Sequence, residues 1–139
     1  DLKDENMRAL FTFLFNSLST AHASFKSRTY TTPLENQLKQ LHLEISNSLE
    51  QKHSIARCAK QLNISESYFQ LIYKKLFGIS FQQDLILMRV TRARFNLSTS
   101  NLSLSQIAEF CGYNNEVHFY RQFKKLTGVT PTQYRKHPF

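Results

Sequence analysis

The feature that most constrains this chain is an internal repeat, in which one pattern of apolar residues occurs twice about 50 positions apart. The first block of the pattern is Ile55, Cys58, Ala59 and Leu62, and it returns 49 residues later as Leu104, Ile107, Ala108 and Cys111. The second block is Phe69, Tyr73, Leu76 and Gly78, and it returns 50 residues later as Phe119, Phe123, Leu126 and Gly128. The spacing of the apolar residues predicts two short amphipathic helices in each copy. The change of offset places one extra residue near the turn of the second copy.

Helix-capping residues repeat together with the apolar pattern. A hydroxyl residue that suits an N-cap opens the segments Ser54–Arg57, Ser80–Gln83, Ser103–Gln106 and Thr130–Gln133. The segment from Ser103 is a full capping box, whereas the segment from Ser54 is not. Gly78 and Gly128 stand where a left-handed residue would end the second helix of each copy. The agreement of apolar faces, caps and stops indicates an internal duplication.

A tight turn joins the two helices of each copy. The turns are Leu62-Asn63-Ile64-Ser65 and Cys111-Gly112-Tyr113-Asn114. Asn63 and Gly112 match, and these residue types tolerate positive φ. We expect Ser65 and Asn114 to cap the helices that follow. Two helices joined in this way are typical of a helix-turn-helix, whose second helix enters the major groove of DNA.

The rest of the chain is predicted to be helical, which gives an all-α fold. Glycine and proline number only three each, and Thr32-Pro33-Leu34-Glu35 is a capping box with proline at the first helical position. The helix behind this box carries Leu34, Leu38, Leu41, Ile45 and Leu49 on one face. Residues 6–22 predict an extra N-terminal helix, and the polar residues 23–32 resemble a linker.

Charge is distributed unevenly along the chain. Residues 1–53 hold six basic and six acidic side chains, whereas residues 54–139 hold twelve basic and four acidic ones. The formal net charge of +8 therefore lies in the repeated part, which points to a polyanionic partner. On the second helices Gln70 can pair with adenine, Arg121 with guanine, and Glu116 with the cytosine amino group. The alternative for each helix is an ordinary solvated face.

The second copy carries the most specific stretch of sequence, from Ile107 to Arg135. It includes a Gly-aromatic turn, Phe119-Tyr-Arg121, Phe123-Lys-Lys125, Gly128 and Pro131. Residues 34–137 resemble the DNA-binding domain of the AraC/XylS family of bacterial transcription regulators. The segment Arg89-Val-Thr-Arg-Ala93, with Leu97, resembles the long helix that joins the two units in that family. The resemblance implies a first helix-turn-helix at about 54–78, a linker helix at about 81–98 and a second helix-turn-helix at about 103–128.

The resemblance also implies which side chains meet double-stranded DNA. The expected base readers are Ser67, Gln70 and Leu71 in the first unit and Glu116, Val117, Tyr120 and Arg121 in the second. The expected phosphate contacts are Ser54, Lys74, Lys75, Lys124 and Lys125. Leu71 stands where the family often has arginine, so the first unit is expected either to read a thymine methyl or to contribute shape contacts. Arg89 is expected to be structural, and His118 is left open between touching a phosphate and packing or capping.

Relatives of this kind carry a further ligand-sensing or dimerising domain. Residues 1–24 are therefore expected to be the last helix of such a domain, with 25–33 as its connector, and the start at Asp1 suggests a fragment. We expect no cofactor here, since an effector would bind a domain outside this part. Homodimerisation through that domain and contact with RNA polymerase are implied by the family alone. We expect a cytoplasmic protein, nucleoid-associated when bound, with no membrane partner.

Three other classes of function compete with DNA binding. An enzyme is not expected, because no catalytic triad, carboxylate pair, phosphate loop or metal cluster is visible. Cys58 and Cys111 are read as small buried residues of a reducing compartment. A helical protein-interaction module remains the second alternative. RNA binding is the third alternative, and the chain lacks the stacking aromatic residues on an exposed sheet that this function would predict.

Overall fold

The computed structural model describes Phe13 and residues 32–139. The helix expected in residues 1–24 lies outside the described residues, Phe13 apart, and so does the connector expected at 25–33 up to residue 31. Thr32 and Pro33, the last two residues of that connector, are the N-cap and the first residue of the first described helix. The described part contains helices and no strand, which confirms the all-α prediction. The helices are α1 (Pro33–Asn47), α2 (Ile55–Gln61), α3 (Glu66–Phe77), α4 (Phe81–Thr99), α5 (Leu104–Phe110), α6 (Glu116–Thr127) and α7 (Pro131–Lys136).

The predicted capping boxes are present where the sequence places them. At α1 the backbone N–H of Glu35 donates to Thr32 Oγ1 at 3.2 Å, and the N–H of Thr32 donates to the Glu35 carboxylate at 3.4 Å. Ser103 and Gln106 make the same reciprocal pair at α5. Ser54 caps α2 through the N–H of Arg57 alone, as its sequence predicts. Each cap satisfies backbone donors that have no partner inside the helix, so it fixes where the helix begins.

The cap of α6 corrects one prediction from the sequence. The N-cap residue is Asn115 and not Asn114, because Asn115 Oδ1 accepts a hydrogen bond from the backbone N–H of His118 at 2.8 Å. In the first copy α3 is capped by Ser65, as predicted. The extra residue of the second copy lies inside the turn, and it moves the cap one position along the chain.

Both turns reverse the chain through one residue in the left-handed region. Asn63 has φ 55° and Gly112 has φ 87°, as predicted. The residue after each then closes the first helix: the N–H of Ile64 donates to the carbonyl of Ala59 at 3.0 Å, and the N–H of Tyr113 to that of Ala108 at 2.9 Å. The left-handed residue is what allows this hydrogen bond back into the helix. The two turns therefore use one geometry in spite of their different lengths.

The described residues fall into two compact units, with the boundary between Ile86 and Leu87. We call residues 32–86 the N-terminal unit and residues 87–139 the C-terminal unit; α4 contributes to both. The N-terminal unit buries Leu38, Leu41, Ile45, Leu49, Cys58, Phe69, Tyr73 and Phe81. The C-terminal unit buries Val90, Ala93, Leu97, Ile107, Cys111, Phe119, Phe123 and Tyr134. Both cysteines are free and buried, as predicted.

The N-terminal unit contains a buried polar cluster. At the matching positions the C-terminal unit has two aromatic side chains instead. Asp84 Oδ2 accepts a hydrogen bond from the Tyr73 hydroxyl at 2.5 Å and lies 3.1 Å from His42 Nε2. Burial, and then the carboxylate of Asp84, raise the pKa of Tyr73. At the matching positions of the second copy, Phe123 and Tyr134 meet edge to face with ring centroids 5.6 Å apart. The duplication thus kept the helix framework and changed the chemistry of the core.

The corrected cap leads to a prediction with a built-in control. Asn115→Ala removes the side chain that caps α6, so it should lower the free energy of unfolding by about 1 kcal/mol. Asn114→Ala, at the neighbouring exposed position, should change it by less than about 0.5 kcal/mol. Urea denaturation of the two variants measures both values. Equal effects, or a larger effect at Asn114, would contradict the assignment of the cap.

The polar cluster predicts energetic coupling between Tyr73 and Asp84. Asp84→Ala leaves the buried Tyr73 hydroxyl without its acceptor, which should destabilise the protein by about 2–3 kcal/mol. In a protein that already carries Tyr73→Phe and so lacks that hydroxyl, Asp84→Ala should lower the free energy of unfolding by less. A double-mutant cycle by chemical denaturation measures the coupling. Additive effects of the two substitutions would show that the hydrogen bond contributes nothing.

Candidate nucleic-acid interface

Helix α3 presents the expected reading residues of the first unit to solvent. Its inner side is fixed by Phe69 and Tyr73, which are fully buried and pack against Phe81 with ring centroids 5.4 and 5.3 Å away. The opposite side carries the exposed Ser67, Gln70, Leu71, Lys74 and Lys75. Because one turn of helix is 3.6 residues, these five side chains share one face. The structure therefore brings together every residue of α3 that the sequence assigned to DNA.

Helix α6 repeats this arrangement in the C-terminal unit. Phe119 and Phe123 are fully buried and in contact, with ring centroids 5.8 Å apart. The exposed side carries Glu116, Val117, Tyr120, Arg121, Lys124 and Lys125. The lysines of both helices lie in the last turn, where the helix dipole favours cations. Each exposed face thus combines hydrogen-bonding side chains near its start with positive charge near its end.

The expected phosphate contact Ser54 lies on a different element from the lysines. It is the exposed N-cap of α2, where its Oγ accepts a hydrogen bond from the N–H of Arg57 at 3.2 Å. The hydroxyl keeps its own proton for a second partner, so a phosphate oxygen could accept from it. Arg57 is also held in place, because its Nη1 donates to the carbonyl of Lys52 at 2.8 Å.

Tyr68 is also exposed on α3, beside the five residues above, although its role was not predicted from the sequence. We call the exposed sides of α3 and α6 that carry the expected DNA contacts their reading faces. The Tyr68 side chain is 46% exposed, next to Ser67 and one turn before Leu71. Because Tyr68 adjoins the buried Phe69, apolar spacing alone does not place it on the exposed face. The 50-residue offset pairs Tyr68 with His118, which is also exposed, so the repeat carried a signal for the exposure of Tyr68.

His118 and Arg89, whose roles the sequence left open or assigned to packing, both contact Tyr113. The His118 ring meets the Tyr113 ring edge to face at 5.4 Å, although His118 is exposed. The Arg89 guanidinium lies 5.7 Å from the centre of the same ring. Burial lowers the pKa of Arg89, and its Nε is buried with no hydrogen-bond partner among the described residues. These contacts fit the structural role that the resemblance implies for Arg89.

Nothing in the described residues suggests a metal centre or a membrane span. No group of three or more potential metal ligands occurs in residues 32–139. None of the helices described in that range combines the length and apolar character that crossing a membrane requires.

Comparison with known proteins identifies the fold. A family model described as a helix-turn-helix domain matches residues 58–137, which is more than half of the chain. The chain belongs to the AraC/XylS family. Among relatives of this AraC-type domain is the Msm operon regulatory protein of Streptococcus mutans, 29% identical over 112 residues. Another is the raffinose operon regulatory protein RafR of Pediococcus pentosaceus, 39% identical over 75 residues.

Two solved structures resemble the AraC-type domain closely. The C-terminal domain of AraT, a response regulator from Geobacillus stearothermophilus, gives a TM-score of 0.69 at 32% identity over 76% of this chain and 85% of its own. The DNA-binding domain of AdpA, solved with a target DNA, gives 0.68 at 26% identity over 71% of this chain and 89% of its own. The sequence relatives are longer: 80% of this chain matches 39% of the Msm regulator, and 54% of it matches 27% of RafR.

Proposed function

We propose that this chain binds double-stranded DNA in a sequence-specific manner and regulates transcription in a bacterium. The observation that carries the proposal is that α3 and α6 each bury two aromatic rings on one side and expose a basic, hydrogen-bonding face on the other. Helices of this kind enter the major groove when they follow a helix-turn-helix turn. The AdpA domain, which resembles this chain in fold, was solved with DNA, and this supports the same role here.

Each recognition helix is assigned one segment of major groove, and its side chains divide into readers and anchors. Gln70 can bond two atoms of adenine, Arg121 can bond O6 and N7 of guanine, and Glu116 can accept from the cytosine amino group. Ser67 and Tyr120 add hydroxyls, and Leu71 and Val117 are the apolar members of the two faces. The anchors are Ser54, Lys74, Lys75, Lys124 and Lys125, which would contact phosphates and so set the position of the protein without reading sequence.

The proposed function does not include catalysis, and the two cysteines are not suited to act as nucleophiles. A nucleophilic cysteine needs a depressed pKa so that the thiolate forms near neutral pH. Burial raises the pKa of Cys58, and it raises the pKa of Cys111 to about 12. Both thiols therefore stay protonated and covered, as packing residues do.

The longer relatives support a wider proposal for the complete regulator. We infer that a sensing or dimerising domain accompanies this one, that an effector binds there, and that the full protein forms a homodimer. Contact with RNA polymerase, and work in the cytoplasm on the nucleoid, belong to the same proposal. The operon regulators among the relatives are the support for this wider proposal.

DNA binding is tested by titrating fluorescent duplexes of random sequence with this protein and sequencing the bound pool. We expect an enriched site with two half-motifs, one for each recognition helix. Neutralising about six to eight phosphates should give a log–log dependence of affinity on salt with a slope of roughly −5 to −7. Strong binding with no enriched sequence would reduce the function to electrostatic DNA coating. No binding at low salt would reject the proposal and favour a protein-interaction module.

Arg121 and Lys125 should have separable effects on that binding. Arg121→Ala should weaken the selected site by about 1–3 kcal/mol and relax one base position in one half-motif. Lys125→Ala, on the same helix, should weaken all sequences alike and reduce the magnitude of the salt slope by about 1. Both side chains are exposed, so neither substitution should alter the fold. If Arg121→Ala leaves the enriched sequence unchanged, Arg121 does not read a base.

A further inference from the structure

Each recognition helix exposes one aliphatic side chain within its otherwise polar reading face. Leu71 is 66% exposed on α3, and Val117 is 59% exposed on α6. A single exposed aliphatic residue is ordinary on a protein surface and needs no explanation by itself. These two differ from scattered surface residues because they lie among the residues that would meet the edges of the bases.

The neighbours of Leu71 place it inside the contact area of any polyanion that binds α3. Side chains three and four positions apart are adjacent on a helix. Ser67 and Tyr68 therefore lie one turn before Leu71, and Lys74 and Lys75 lie one turn after it. All four are exposed. A nucleic acid held by the two lysines would thus cover Leu71.

Val117 holds a comparable but shifted place on α6. Tyr120 and Arg121 lie one turn after it, and Lys124 lies a further turn along; all are exposed. The 50-residue offset pairs Val117 with Ser67 and Arg121 with Leu71. The aliphatic group is therefore the sixth residue of α3 but the second residue of α6. The two helices exchange the positions of their apolar and polar readers.

The major groove offers one apolar partner to such side chains. On the edges of the bases there, the C5 methyl of thymine is the one methyl group among the hydrogen-bond donors and acceptors, and it projects farther into the groove than the C–H groups of the other bases. A leucine or valine against a donor or acceptor would remove water from it and return no hydrogen bond, at a cost of about 1–3 kcal/mol. Against a methyl group, the same side chain gains apolar contact.

We propose that Leu71 and Val117 each contact the C5 methyl group of a thymine, so that each half of the target site is read partly through a methyl group. This rests on the proposed function, since it requires binding in the major groove. Because the two aliphatic residues occupy different helical positions, the thymine stands at a different place relative to the hydrogen-bonded bases in each half-motif. The two half-motifs are therefore not copies of each other, although the two protein units are.

Replacing thymine with deoxyuridine in the selected duplex tests this directly, because the change removes the methyl group and leaves base pairing intact. Each thymine is replaced in turn, and the Kd of the protein is measured by fluorescence anisotropy. One replacement in each half-motif should raise the Kd about fourfold, as the loss of one buried methyl group predicts. For the Leu71→Ala variant, the replacement in one half-motif should leave the Kd unchanged. For the Val117→Ala variant, the replacement in the other half-motif should leave the Kd unchanged.

Leu43→Ala is the matched control, because Leu43 is 54% exposed on α1, outside both reading faces. This variant should keep the full sensitivity to both methyl groups, and thermal unfolding should show that all three variants remain folded. If no deoxyuridine replacement changes the Kd by twofold, the inference fails while sequence-specific binding stands. If the sensitivity survives in Leu71→Ala and Val117→Ala, other side chains read the methyl groups and the inference also fails. An absence of DNA binding would overturn the proposed function itself, and these aliphatic side chains would then be candidates for a protein partner.

Discussion

Burial of two aromatic rings, one turn apart, fixes the rotation of each recognition helix, and the reading faces depend on it. Phe69 and Tyr73 do this for α3, and Phe119 and Phe123 do it for α6; all four are fully buried. A helix whose residues i and i+4 are held in a core has no freedom to turn about its axis. The side chains opposite those rings must therefore face solvent, whatever their chemistry. This is why residues as different as Leu71 and Arg121 occupy equivalent exposed positions.

The turn before each recognition helix adds a second constraint, and it is met in two ways. A left-handed residue, Asn63 or Gly112, lets the next N–H close the preceding helix onto a buried alanine. The N-cap then follows, at Ser65 in one copy and one residue later at Asn115 in the other. The recognition helices begin at matching positions because the extra residue is absorbed before the cap. Variation in the turn thus leaves the face of the helix unchanged.

The duplicated framework supports different chemistry inside and outside. Inside, the N-terminal unit joins Tyr73, Asp84 and His42 by polar contacts, whereas the C-terminal unit packs Phe123 against Tyr134. A buried polar cluster is stabilising only while every member has its partner, so this unit should tolerate fewer substitutions at these positions. Outside, aliphatic and polar side chains exchange places between the exposed faces of α3 and α6. The fold can therefore present two unlike surfaces from two like units.

The sequence by itself determined the features that depend on local patterns. Apolar spacing gave the helices, and Thr32 with Glu35 and Ser103 with Gln106 gave their starts, because each of these features depends on residues a few positions apart. The class of partner followed from the net charge of residues 54–139, which needs no knowledge of how the chain folds. The contact of His42 with Asp84, 42 residues away, and the packing of Arg89 on Tyr113, 24 residues away, were decided only by the tertiary structure. By contrast, the 50-residue offset of the repeat already indicated the exposure of Tyr68, through His118, and the cap at Asn115, through Ser65. Helical periodicity shows which residues share a face. Whether a residue at the edge of that face is buried or exposed depends on what packs against the helix. That partner comes from a distant part of the chain, where no local pattern reaches.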